Sequence, residues 1–108
     1  MTMHESRVAD LHFAVARARG GIATLWGYAV SLSELTIRIT WRDTSENLHI
    51  VCSGCTRLEA VVAWGDVNLE WECAESGEIR LIDRQARFLV LCAHIRVLGN
   101  VEPIYSSL

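Results

Sequence analysis

Lysine is absent from this 108-residue chain, and all ten basic side chains are arginine. They stand singly along the sequence and form neither the patch nor the stripe that phosphate binding needs. With a formal charge of −3, non-specific attraction to nucleic acid or to an anionic membrane is not expected. The arginine bias is what a GC-rich bacterial genome produces, and it points to no particular function.

Long apolar runs are also lacking. The longest uncharged segment, residues 20–33, is fourteen residues long, too short to cross a bilayer. Arg17 and Arg19 precede it, and Ala29-Val30-Ser31 has the small-residue character of a signal cleavage site. Nineteen residues make a long leader for such a signal, however, and two glycines open the uncharged stretch. The expectation is a cytoplasmic chain with its four cysteines reduced. There is no nucleophile elbow, no phosphate-binding glycine loop and no paired-histidine metal helix.

What the chain has in surplus is apolar side chains, at 51% of residues, including four tryptophans. A domain of this length buries roughly two-thirds of the surface that its unfolded form exposes. Part of the excess is therefore expected to be covered by another protein, a second copy being the commonest solution.

Residues 5–19 read as a helix, with Val8, Leu11, Val15 and Ala18 on one stripe and Gly20-Gly21 ending it. Residues 22–33 fit either period. Ile22, Leu25, Trp26 and Ala29 share a helical face, which favours a second short helix leading into a turn at Ser31-Leu32-Ser33. The clearest signal follows: Leu35, Ile37, Ile39 and Trp41 alternate with Thr36, Arg38, Thr40 and Arg42, as in a half-buried strand. A polar turn at 43–47 and a returning strand at 48–52 complete a hairpin. Residues 56–64 carry a capping box, Thr56-Arg57-Leu58-Glu59, but Val61, Val62 and Trp64 favour a strand or irregular crossing. Val67, Leu69, Trp71 and Cys73 alternate again, and residues 79–82 pair back after a turn. Residues 88–97 are apolar on both faces and read as one central strand.

The expected fold is α+β: an N-terminal helix, with or without a second, packed on one face of a five- to six-stranded, mainly antiparallel sheet. It is a single domain over 1–108, with a surface tail at 99–108. The expected core is Leu35, Ile37, Ile39, Trp41, Leu48, Ile50, Val67, Leu69, Trp71, Leu81, Leu89, Leu91 and Ile95.

Cys52-Ser53-Gly54-Cys55 is the motif with chemical potential, since a two-residue gap lets both sulfurs point one way. A zinc site wants four ligands, and the set at hand is Cys52, Cys55, Cys92 and His94, with His49 and Cys73 as further candidates. Cys92 and His94 would share one strand face. Cys73 and Cys92 also read as small apolar core groups, and no second close cysteine pair completes a zinc-ribbon pattern. A dithiol redox role suits the motif, but the thioredoxin fold packs a cis-proline loop against its dithiol. Here the only proline is Pro103, in the tail.

Glu70 and Glu72 lie on a wet strand face, with Arg38 and Arg42 as natural opposite charges. Trp41 and Trp71 fall on apolar faces, whereas Trp26 and Trp64 are free to be exposed. The expected function is a non-enzymatic protein-interaction module without cofactor, associating with itself or with another protein. The alternative is a zinc-binding or dithiol redox protein centred on Cys52 and Cys55.

Overall fold

A computed structural model describes residues 3–5, 8–30 and 33–99, with side chains placed for 11–30 and 33–99. Strand β1 (Met3–Glu5) precedes helix α1 (Val8–Ala18). Leu11, Ala14, Val15 and Ala18 recur every three or four residues, and all four are buried. Gly20, in the left-handed region at φ 79°, ends the helix. Among the described residues no helix is long and apolar enough to cross a membrane.

Nine further strands follow: β2 (Ile22–Ala29), β3 (Glu34–Thr40), β4 (Asn47–Ser53), β5 (Arg57–Glu59), β6 (Ala63–Trp64), β7 (Glu70–Cys73), β8 (Ile79–Asp83), β9 (Phe88–Cys92) and β10 (His94–Gly99). They form two antiparallel sheets, one of six strands in the order β1-β10-β4-β3-β2-β6 and one of four in the order β5-β9-β8-β7.

A single sheet carrying one or two helices is therefore not what forms. Two local facts make the difference. Residues 22–29 are a strand, paired along β3 from Ile22↔Thr40 to Ala29↔Glu34, with a bulge between Leu25 and Gly27. The bulge shifts side chains out of strict alternation, which is why the segment mimics a helical face. Residues 88–97, in turn, are two strands in different sheets, joined at Ala93.

One core joins the two sheets and the helix. Leu35, Ile37, Ile39 and Ile50 come from the six-stranded sheet, Leu81, Phe88 and Val90 from the four-stranded one. Each such side chain contributes roughly 1.5–3 kcal/mol by leaving water. Trp41 and Trp71 are half-buried against this core.

The change of sheet at Ala93 also inverts the expected parity of β9. Phe88, Val90 and Cys92 face the core, while Leu89 and Leu91 line a groove of about 450 Å³ with Arg57, Glu72 and Cys73. Cys73 is exposed rather than packed. The strand reading of 56–64 agrees with β5 and β6. Residues 31 and 32 of the expected turn, and all of the expected tail beyond Gly99, lie outside the described residues.

Candidate functional site

The cysteine motif occupies a corner where the chain leaves one sheet for the other. Cys52 and Ser53 end β4, and two residues after Cys55 the chain enters β5. β9 passes into β10 at the same place, so two sheet crossings lie side by side. Ala93 N–H donates to the Ser53 carbonyl at 2.9 Å, and Thr56 N–H donates to the Leu91 carbonyl at 2.9 Å. Gly54 has φ 67°, and a Cβ there would stand 3.0 Å from the Ala93 Cβ. The glycine is thus required by a backbone crossing, which strands make with bends of this kind.

Three thiols converge on the corner. Cys52 and Cys92 are buried in one cluster, and Cys55 is half-buried against it. The Cys55 thiol donates to the Cys52 carbonyl at 3.3 Å. The neighbouring Cys92 thiol and burial together hold Cys52 well above the usual thiol range. Burial raises Cys55.

His94, grouped with these thiols on sequence, is not brought to them. It opens β10 opposite Ser53, is exposed, and is separated from Cys92 by the change of sheet. His49 lies three residues before Cys52 on β4 and faces the other side of that strand. Among the described residues, no group of three or more His, Cys, Asp or Glu side chains is placed to hold one metal ion.

A second feature is the side of β2 away from β3. There β6 pairs with Ala23 and Thr24, and Leu25 N–H reaches the Val62 carbonyl at 2.8 Å. Further along, from Gly27 to Ala29, no strand among the described residues lies on this side. Trp26, Tyr28 and Val30 are exposed along it, and Val61 and Val62 beside it. Tyr28 stands opposite Leu35 on the core-facing side of the sheet. Trp26 covers the other face, where the Arg38 guanidinium lies 4.6 Å from its ring centroid and the His49 ring 6.2 Å away.

Arg38 Nη1 donates to His49 Nε2 at 3.0 Å, which requires a neutral imidazole. Burial first, and the Arg38 charge second, lower His49 from 6.5 to about 4. Of the tryptophans read as free to be exposed, Trp64 is not free: it stacks on Phe88 at 4.9 Å and donates to Asp83 at 2.9 Å.

Sequence reasoning weighed the uncharged stretch 20–33 only as a membrane span or a signal segment and read 22–33 from its periodicity as a helix, and so missed the open strand edge. Glu70 and Glu72 are charge-paired, though not with Arg38, which lies in the other sheet, or with Arg42 in the turn after β3. Glu70 takes Arg84 at 3.4 Å and Glu72 takes Arg80 at 2.9 Å. Comparison with protein-family profiles, curated proteins and solved structures finds no match to the chain.

Proposed function

We propose that this chain is a non-enzymatic protein-interaction module that associates with a second copy of itself through the open side of β2. The observation that carries the reading is an uncharged strand edge flanked by exposed apolar side chains. Unpaired backbone N–H and C=O groups on such an edge invite another strand, and proteins ordinarily guard against this with charge or proline.

A second copy is the occupant that suits the site. The segment carries no charge of either sign, so two copies meet without repulsion, and a two-fold axis sets β2 antiparallel to β2. The bulge lies at one end and leaves Gly27 to Ala29 in regular register with β3. The available area is adequate. Trp26 is 37% exposed, Tyr28 48%, Val30 77%, Val61 45% and Val62 75%. Large side chains bury ~150–250 Å² each when fully covered, so these five offer on the order of 500 Å² per copy, or about 1,000 Å² in the pair. That is the lower bound of a specific interface.

Sedimentation equilibrium over a concentration series tests this. The expected result is a mass rising from one chain to two. A mass that stays at one chain at the highest soluble concentration would overturn the reading.

A further inference from the structure

At the far end of β2 from its open edge, three chain links enclose a cavity of about 540 Å³. Gly20 and Gly21 line it from the link between α1 and β2, Trp41, Arg42 and Asp43 from the turn after β3, and Gly65 and Asp66 from the turn after β6. Two of these links are tied together. Gly20 N–H donates to the Val67 carbonyl at 2.8 Å, and Val67 N–H donates to the Gly21 carbonyl at 3.1 Å. The Arg17 guanidinium, held by Glu46 at 2.6 Å, lies 4.1 Å from the Trp41 ring centroid and fixes the indole. Polar groups of both kinds border the cavity without a hydrogen bond or ion pair among the described residues: the Asp43 and Asp66 carboxylates, the Arg42 guanidinium and the Trp41 indole N–H. Gly65 serves no packing or backbone need. A Cβ there would meet nothing within 4 Å, and its φ is not left-handed, yet Asp66 beside it stands at φ 48°, where glycine would be at ease.

We propose that this cavity binds a short carbohydrate, of about disaccharide size, apart from the self-association at the other end of β2. Ionised aspartates only accept hydrogen bonds, whereas the guanidinium and the indole N–H only donate. A hydroxyl does both, so a ligand that carries several donates to Asp43 and Asp66 while it accepts from Arg42 and Trp41. Opposite charges stand together there, so no field of one sign selects an ion. Apart from Trp41 and Ile22 the lining is glycine backbone and charged side chains, which suits a polyhydroxylated ligand better than a greasy one. An amino-acid zwitterion matches Arg42 and the carboxylates in charge, but even a large one leaves more than half of the volume empty. The backbone ties hold the walls before a ligand arrives, so little ordering remains to oppose binding.

Proton–nitrogen correlation NMR of the full chain tests this, with maltose, cellobiose, lactose and N,N′-diacetylchitobiose added in turn and free glutamine as the zwitterionic probe. The expected result is a saturable shift, with at least one disaccharide, of the Trp41 indole signal together with the backbone signals of Gly20, Gly21 and Gly65. Glutamine is expected to leave these signals in place. Gly65→Phe fills the cavity from a position with room for a side chain and is expected to abolish the response. Asp66→Asn keeps a residue that tolerates the left-handed backbone but removes the charged acceptor, and it should weaken binding at least about tenfold. Dispersed spectra would verify that both variants fold, and either one alone suffices for the test. No saturable shift with any of the four sugars, shifts centred away from the cavity, an undiminished response in a folded variant, or a response to glutamine in place of the sugars would each overturn the inference.

Discussion

Strand β7 borders the four-stranded sheet, and β2, beyond its short pairing with β6, borders the six-stranded one. The two edges present the same kind of backbone groups but are furnished in opposite ways. β7 sets Glu70 and Glu72 beside Arg84 and Arg80, so an approaching strand would have to strip water from four charges. The open part of β2 and the residue after it offer Trp26, Tyr28 and Val30, with no charged residue of their own. On the proposed reading, the contrast would mark β7 as a sheet edge kept from contact and the uncharged edge of β2 as one left open to it.

The most direct way to break the contrast is to place a charge on β2. Tyr28→Glu is expected to weaken self-association by at least about 100-fold, because a two-fold interface sets the two new carboxylates close together in a poorly hydrated contact. Tyr28 is 48% exposed, so the fold should survive, and an unchanged circular dichroism spectrum would verify that. Sedimentation equilibrium reads the effect. A dimer as tight as the unmodified protein's would remove β2 from the interface.

A comparison of two edges also assumes that the sheets hold fixed positions. Asp83, buried at the end of β8, is one reason that they do. It accepts hydrogen bonds from Trp64 Nε1 at 2.9 Å, across to the six-stranded sheet, from Asn68 N–H at 2.8 Å and, more weakly, from Ala86 N–H at 3.4 Å. Asp83→Ala leaves these donors without their acceptor, and each such loss at a buried donor costs roughly 1–3 kcal/mol. Urea denaturation is expected to show a loss of about 2–4 kcal/mol. A loss under about 1 kcal/mol would mean that the seam is held by apolar packing alone.

Acid probes the support beneath Trp26. His49 has a folded pKa of about 4, below its ordinary 6.5. The unfolded chain thus binds the proton more readily. Stability is whole above about pH 6.5, declines as the pH falls, and the His49 share is lost by about pH 4, to the extent of roughly 3 kcal/mol. The quantity that isolates His49 is the difference from His49→Gln, which should flatten the slope between pH 6.5 and 4. Equal slopes in the two proteins would show that His49 charges freely in the fold.

How far such features can be read from sequence depends on whether their causes are local. The alternation from Leu35 to Trp41 reports a strand with one wet face, and the structure places Leu35, Ile37 and Ile39 in the core accordingly. β2 was obscured by its own bulge, which displaces Trp26 from the alternation and leaves spacings that suit a helix as well. The run at 88–97 misleads for another reason. Its parity changes where the chain crosses at Ala93, so a reading anchored on Ile95 puts Leu89 and Leu91 in the core in place of Phe88 and Val90. That crossing depends on Gly54, nearly forty residues earlier, and no periodicity within the run reports it. The thiol corner was legible in half: the Cys52–Cys55 spacing is local, whereas the placing of Cys92 in the same buried cluster as Cys52 follows from tertiary packing.

The smallest expected effect isolates what the charges on β7 are for. Glu72 and Arg80 are paired at 2.9 Å, yet their side chains remain 66% and 44% exposed. Water screens such a pair, and ordering two long side chains costs entropy, so a double-mutant cycle with Glu72→Ala and Arg80→Ala should return a coupling of only about 0.2–1 kcal/mol. If folding stability were the reason for these charges, the coupling would be several times larger. A small coupling, joined to a rise in light scattering when Glu70, Glu72, Arg80 and Arg84 are all replaced by threonine, would assign them to keeping other strands away. Threonine suits a strand, so the replacements strip charge from β7 without unmaking it. An edge so altered should begin to behave as the open side of β2 does, and particles larger than two chains are the expected result.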